Sequence, residues 1–173
     1  ARNLACKKEE SDMYSVMARV CIGMTNDEMA QEYFQRAVKL LEGTDDVREM
    51  SRLSTIYGEY MSFYINRNRM AEAIEIGYRR ETVIQRMSGL PGPPPGYIDQ
   101  QYGFLYAKMA VLLHDEGKKE EATEIFRKYQ STSFSKTLIG KQYSVPYLLN
   151  INQYAEAAAL SDTCISAFTN DTV

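Results

Sequence analysis

The sequence predicts an all-α protein made of about four helix-turn-helix hairpins that stack on one another. Four segments align on an alanine that follows a turn, and an amphipathic helical pattern precedes each of these segments. The segments cover residues 25–38, 68–81, 117–130 and 152–165, and their alanines are Ala30, Ala73, Ala122 and Ala157. Because one helix pair cannot bury its apolar face alone, neighbouring pairs must pack against each other.

The composition is that of a globular protein with a core of its own. The chain has 173 residues, of which 45% are apolar and 25% charged, and its formal net charge is −3. This size and composition predict a single domain over residues 1–173. Lys and Arg are mixed with Asp and Glu, so we expect no binding of nucleic acid. No apolar run reaches the length of about eighteen residues that a transmembrane helix needs, so we expect no membrane insertion within this segment.

The first two hairpins are predicted at about residues 10–42 and 46–87. In the second hairpin, apolar residues recur every three or four positions, which places them on one face of a helix. These residues are Leu53, Ile56, Tyr57, Tyr60 and Tyr64. Asn68 follows this helix and suits the left-handed turn that joins it to the next one.

A proline-rich stretch, "SGLPGPPPG" at residues 88–96, interrupts the helical pattern. We predict an enlarged loop between two hairpins, with glycines supplying turns and Pro93 to Pro95 a stiff extended piece. The loop either braces the edge of the stack or helps to shape a binding site. A domain linker is disfavoured because each half would be small. A ligand for an SH3-type domain is disfavoured because no Lys or Arg flanks the prolines closely.

The third and fourth hairpins are predicted at about residues 97–130 and 134–168. Gly117 and Asn152 occupy their turns, where a left-handed backbone costs least for Gly and next least for Asn. Pro146 falls inside the first helix of the fourth hairpin. It predicts either a kink or a helix that starts late, after "YSV".

The tract "YAKMAVLLHDEGKKEEATEIFRKY" at residues 106–129 resembles a tetratricopeptide repeat. The matching residues are Tyr106, Met109, Ala110, Leu113, Gly117, Ala122 and Phe126, and the first repeat matches through Tyr14, Met17, Ala18, Ala30, Phe34 and Ala37. The resemblance implies a right-handed α-solenoid that binds a protein or peptide on its concave face and has no catalytic activity. The irregular spacing and Tyr-rich helices also resemble the input regions of sensor kinases and transcription regulators of Bacteroidetes. An input region of that kind implies a periplasmic location, and a scaffold outside that context implies a cytoplasmic one.

The resemblance implies that the concave face is formed by the first helix of each hairpin. The expected binding residues are Arg19, Ser62, Asn66, Val111, His114, Asp115, Gln142 and Asn150. The family's two-carboxylate clamp, built from Asn with Lys or Arg, is not reproduced. We therefore do not expect a chaperone C-terminal tail as the ligand.

The residues offer little basis for catalysis, a cofactor or a metal site. His114 is the single histidine, and the three cysteines are far apart without the spacing of a zinc site. We therefore expect no enzyme activity, no cofactor and no metal. Two alternatives stay open: a small-ligand carrier with a pocket lined by Tyr and Met, and a homo-oligomer formed through the terminal helices, with Ile165 and Phe168 at the contact.

Overall fold

A computed structural model describes the backbone of residues 2–170 and the side chains of residues 7–167. The helices are α1 (Arg2–Gly23), α2 (Asp27–Leu41), α3 (Val47–Asn66), α4 (Met70–Ser88), α5 (Tyr97–Asp115), α6 (Lys119–Ser131), α7 (Leu138–Asn150) and α8 (Tyr154–Asn170), with one 3₁₀ turn at Phe134–Lys136. No β-strand occurs within residues 2–170. The predicted all-α fold of repeated helical hairpins is confirmed.

The chain divides into two compact units, Ala1–Pro93 and Pro94–Val173. The first unit contains the hairpins α1–α2 and α3–α4, and α3 packs on α2 and, less extensively, on α1. The second unit contains the hairpins α5–α6 and α7–α8, and α7 packs on α5. The division falls within the proline-rich stretch that connects α4 to α5. The single domain over residues 1–173 stays a prediction.

The four hairpins share one turn geometry. Each turn has a residue with positive φ five positions before the anchoring alanine, and these residues are Thr25, Asn68, Gly117 and Asn152, with φ of 57°, 56°, 78° and 62°. In every turn, the amide of this residue donates to the carbonyl three positions earlier, and the next amide donates to the carbonyl five positions earlier. The predicted turn residues Asn68, Gly117 and Asn152 are thus confirmed.

Thr25 is the unexpected member of this set. A left-handed backbone is uncommon for any residue other than glycine and is least suited to β-branched side chains. Thr25 is exposed, and its hydroxyl donates to the carbonyl of Met24 at 2.7 Å. The other three turns carry Asn or Gly at this position, so the first turn stores strain that the others avoid.

The core of the first unit is centred on stacked aromatic rings. Phe34 of α2 lies 4.9 Å from the ring of Tyr60 and 5.9 Å from that of Phe63, both on α3. Asp46 caps α3 by accepting hydrogen bonds from the amides of Arg48 and Glu49. This cap satisfies two amides that have no partner within the helix.

The core of the second unit depends on close contacts with the 3₁₀ turn. A Cβ added to Gly140 would lie 1.9 Å from the carbonyl oxygen of Phe134, and one added to Gly103 would lie 2.3 Å from the Phe134 ring. Glycine at these two positions lets α5 and α7 approach this turn. The ring of Phe126 also packs 4.3 Å from that of Tyr147, which joins α6 to α7.

The helix α7 runs through Pro146, which lies inside it and is exposed. A helix starting after "YSV" is therefore wrong. The helix begins at Leu138, where the side chain of Thr137 accepts a hydrogen bond from the amide of Gly140. This threonine cap marks the start of α7.

Candidate binding faces of the two units

The shared turn geometry sets a common register for the first helices of the hairpins. Positions in different hairpins are called equivalent when they lie the same number of residues from the positive-φ residue of their turn. Arg19 is thus equivalent to Ser62, Val111 and Pro146. We call the side of α1, α3, α5 and α7 that carries the predicted binding residues the inner face. It is described separately for each unit.

In the first unit, charged side chains connect α1 with α3 across the inner face. Ser15 donates a hydrogen bond to Glu59, and the guanidinium of Arg19 lies 3.8 Å from the same carboxylate. Arg52 lies 3.9 Å from Glu59 and also pairs with Asp12. The predicted residue Arg19 is therefore partly neutralised by Glu59. These pairs are partly solvated, so they orient the two helices more than they stabilise them.

Glu59 is an inner-face residue that sequence reasoning missed. It precedes the predicted Ser62 by three positions, so the two share a helix face. The hydroxyl of Ser62 donates to the carbonyl of Gly58 at 2.9 Å, and Ser62 is half-buried. Asn66, at the end of α3, is exposed. In this unit the structure brings Arg19 to Glu59 rather than to another predicted residue.

In the second unit, three predicted residues lie together where α5 and α7 end. The side-chain amide of Asn150 donates to Asp115 at 2.8 Å, and His114 Nδ1 lies 3.8 Å from the same Asp115 oxygen. The His114 ring also meets that of Tyr147 edge to face, with centroids 6.2 Å apart. The Asn150–Asp115 bond thus ties the last turn of α7 to that of α5.

Two apolar side chains of α7 are exposed, Leu149 next to this polar group and Ile139 near the start of the helix. Ile139 is 49% exposed and Leu149 is 46% exposed. The predicted residue Val111 is half-buried on α5, and the predicted residue Gln142 is exposed on α7. Sequence reasoning missed Ile139, although the register makes it equivalent to Asp12 on the inner face of α1.

Two aromatic residues extend the same surface towards the start of α5 and α7. The rings of Phe104 and Tyr143 meet edge to face with centroids 5.0 Å apart, and both residues are half-buried. Aromatic and aliphatic side chains beside an amide and a carboxylate suit a peptide, because apolar side chains and backbone groups are recognised together.

The first unit also has a cavity of about 450 Å³ between α2 and α4. Tyr57, Tyr60 and Tyr64 line it, and the hydroxyls of Tyr60 and Tyr64 lie 2.8 Å apart. Burial, followed by this hydrogen bond, raises the pKa of Tyr60 well above its usual range. Two carboxylates at the rim are already ion-paired, as in the 2.6 Å contact between Glu75 and Arg79. The cavity is therefore a groove between packed helices, and these two rim carboxylates are already paired with arginines.

The small-ligand alternative expects a pocket lined by Tyr and Met, and tyrosines of the third hairpin would support it if they surrounded a closed cavity. There Tyr102 and Tyr106 stack on each other with centroids 5.3 Å apart. Among the residues that the structure describes, no group of three or more His, Cys, Asp and Glu side chains could hold a metal ion. Within the same part of the chain, every helix is too short or too polar to cross a membrane.

The repeated hairpins, their common turns and their anchoring alanines define a helical-repeat protein. Residues 11–40, which lie within the first hairpin, match the family model of the tetratricopeptide repeat, and this match supports the resemblance found in the sequence. No curated protein and no solved structure matches the chain. The Bacteroidetes sensor context stays a prediction.

Proposed function

We propose that the chain is a non-catalytic scaffold that binds a segment of a partner protein on the inner face of its hairpins. Tetratricopeptide repeats generally mediate protein–protein interaction, which supports a scaffold role. The observation that carries the proposal is the exposure of Ile139 and Leu149 on α7, with Leu149 adjacent to Asn150, whose side-chain amide donates to Asp115. Binding of a partner that covers such an apolar surface is favourable, because it removes the surface from water.

The geometry of α7 limits what can bind there. Ile139 and Leu149 are ten positions apart, which corresponds to about 15 Å along a helix. An extended peptide covers that distance with about five residues. The expected partner segment is therefore an extended peptide with two apolar side chains about four positions apart, since side chains at even spacing share one face. Its backbone or a polar side chain between them would contact Gln142, and a polar group beyond the apolar residue at Leu149 would contact His114 or Asp115.

The first unit would contribute selectivity through charge. Arg19 and Glu59 place opposite charges on its inner face, and both are accessible to a polar partner. Rim charges of this type change association rate and partner choice more than affinity. We therefore assign the main binding energy to the second unit and a selective role to Arg19, Ser62 and Asn66.

The test uses the full 173-residue chain as bait in a native lysate, with bound proteins identified by mass spectrometry. The double variant Ile139→Glu/Leu149→Glu places two charges on the inner face, and Gln130→Glu is a matched control on the exposed side of α6. We expect a partner that the wild type and the control retain equally and that the double variant loses by at least about tenfold, because a buried unpaired carboxylate is costly. Equal retention by all three proteins would refute the inner face as the binding site.

A further inference from the structure

The first helix exposes an apolar stripe on a side other than the inner face. Met13 is 64% exposed, Met17 39% and Val20 55%. Their spacing of four and three positions places them in one line along α1. Isolated exposed apolar residues are ordinary, but a continuous line of them on one helix indicates a contact surface. We call Met13, Met17 and Val20 the stacking stripe.

The same register positions are buried in later hairpins. The equivalents of Met13, Met17 and Val20 are Ile56, Tyr60 and Phe63 in α3, and Leu105, Met109 and Leu112 in α5. All six are buried. In α3, Tyr60 and Phe63 are covered by Phe34 of the preceding second helix, α2. The stacking stripe is therefore the surface that would receive the second helix of another hairpin.

The second helix of the last hairpin has the complementary feature. In the common register, Val38 of α2 is equivalent to Ile165 of α8, and Phe34 is equivalent to Ser161. Val38 is buried and lines the same cavity as Tyr60 of α3, whereas Ile165 is 62% exposed. In α2, the side that carries Val38 faces α3. The equivalent side of α8 carries Ile165, which faces solvent.

We propose that the stacking stripe of one copy binds α8 of a second copy, in the way that α2 binds α3 within the first unit. The side chains on this side of α8 are small at Ala158 and Ser161, and Ile165 lies one to two turns further on. Long, flexible methionine side chains fit between small residues of a facing helix. The stacking stripe and this side of α8 are therefore complementary in side-chain size, so the contact needs no third component.

This contact is heterologous, because two different surfaces of the same chain meet. Each added copy leaves one stacking stripe and one α8 uncovered, so the predicted product is a head-to-tail series rather than a closed symmetric dimer. The contact uses neither Ile139 nor Leu149, so it is independent of the inner face proposed for partner binding.

The test measures the mass of the full chain by light scattering over a wide concentration range. The variants are Met17→Glu, which places a charge on the stacking stripe, and Ile165→Glu, which places one on α8. The control is Thr163→Glu, at another exposed position of α8. We expect the average mass of the wild type and the control to rise with concentration. Each of the two variants should need at least about tenfold higher concentration to associate, because an interfacial carboxylate is costly to bury.

Mixing the two variants gives the decisive result. The Met17→Glu protein keeps an intact α8 and the Ile165→Glu protein keeps an intact stacking stripe, so their mixture should form a one-to-one dimer that neither forms alone. A wild type that is monomeric at all concentrations would overturn the proposal. Loss of association in Met17→Glu alone would also overturn it and would indicate α1–α1 pairing. The Ile139→Glu/Leu149→Glu variant should associate like the wild type, which separates this contact from the inner face.

Discussion

Replacing Thr25 by glycine should stabilise the protein, because Thr25 holds a left-handed backbone with φ of 57° in the first turn. A left-handed conformation costs an L-residue roughly 1–2 kcal/mol, and glycine does not incur this cost. Glycine also makes the unfolded chain more flexible, which costs about 0.4–1 kcal/mol. The exposed Thr25 hydroxyl bonds only to the adjacent Met24 carbonyl, so its loss adds little. Taken at the midpoints of these two ranges, the net gain is about 0.8 kcal/mol.

The assay is urea denaturation followed by circular dichroism, supported by thermal unfolding. A gain of this size should raise the unfolding temperature by about 1–4 °C for a chain of this length. Asn68→Gly serves as the matched control in the second turn, where φ is 56° and the expected change is close to zero because Asn tolerates this conformation. A loss of stability in Thr25→Gly, or an equal gain in Thr25→Ala, would refute the strain at this turn.

Three further substitutions test packing and electrostatics. Gly140→Ala should destabilise the chain by about 3 kcal/mol or more in urea denaturation, since the new methyl group would collide with the Phe134 carbonyl; unchanged stability would contradict the close approach of α7. Ala122→Leu should cost about 1–3 kcal/mol in the same assay, because Ala122 is fully buried between two helices; a neutral result would place this position at the surface. Hydrogen bonds from the Arg67 guanidinium lower the pKa of Asp27 below its usual value. The stabilisation by this pair is present above the unfolded pKa of Asp27 and is lost as the pH falls through the lowered folded value. Stability measured from neutral to acidic pH should therefore fall less steeply in Asp27→Asn than in the wild type, and identical pH profiles would count against the pair.

The hairpins were predictable because each leaves a local signal. A small residue follows a turn, and apolar residues recur on one face before it, as Ala122 and Gly117 show for the third hairpin. The left-handed Thr25 was not predictable, because a β-branched residue at that position contradicts local preference. Only the equal geometry of all four turns reveals that the surrounding hairpin imposes it.

The candidate site was predictable as a set of positions but not as a set of contacts. Asp115 and Asn150 both follow from the position of the first helices, yet their hydrogen bond depends on how α5 and α7 pack directly on each other. Glu59 was missed because acidic residues are frequent along the whole chain and only its contacts with Ser15, Arg19 and Arg52 distinguish it. Similarly, the apolar pattern marks Met17 for packing, but it does not show that the side chain stays partly exposed.

Site-specific photo-crosslinking tests the binding of a partner segment to the inner face most directly. A photoreactive amino acid is placed at Leu149 on the inner face of α7 or at Arg127, an exposed control position on α6. Each protein is then irradiated in native lysate, and crosslinked products are identified by mass spectrometry. The proposed function predicts a discrete crosslinked partner at Leu149 that is absent at Arg127 and reduced by Asn66→Ala/Gln142→Ala. Equal crosslinking at both positions, or none at Leu149, would contradict it.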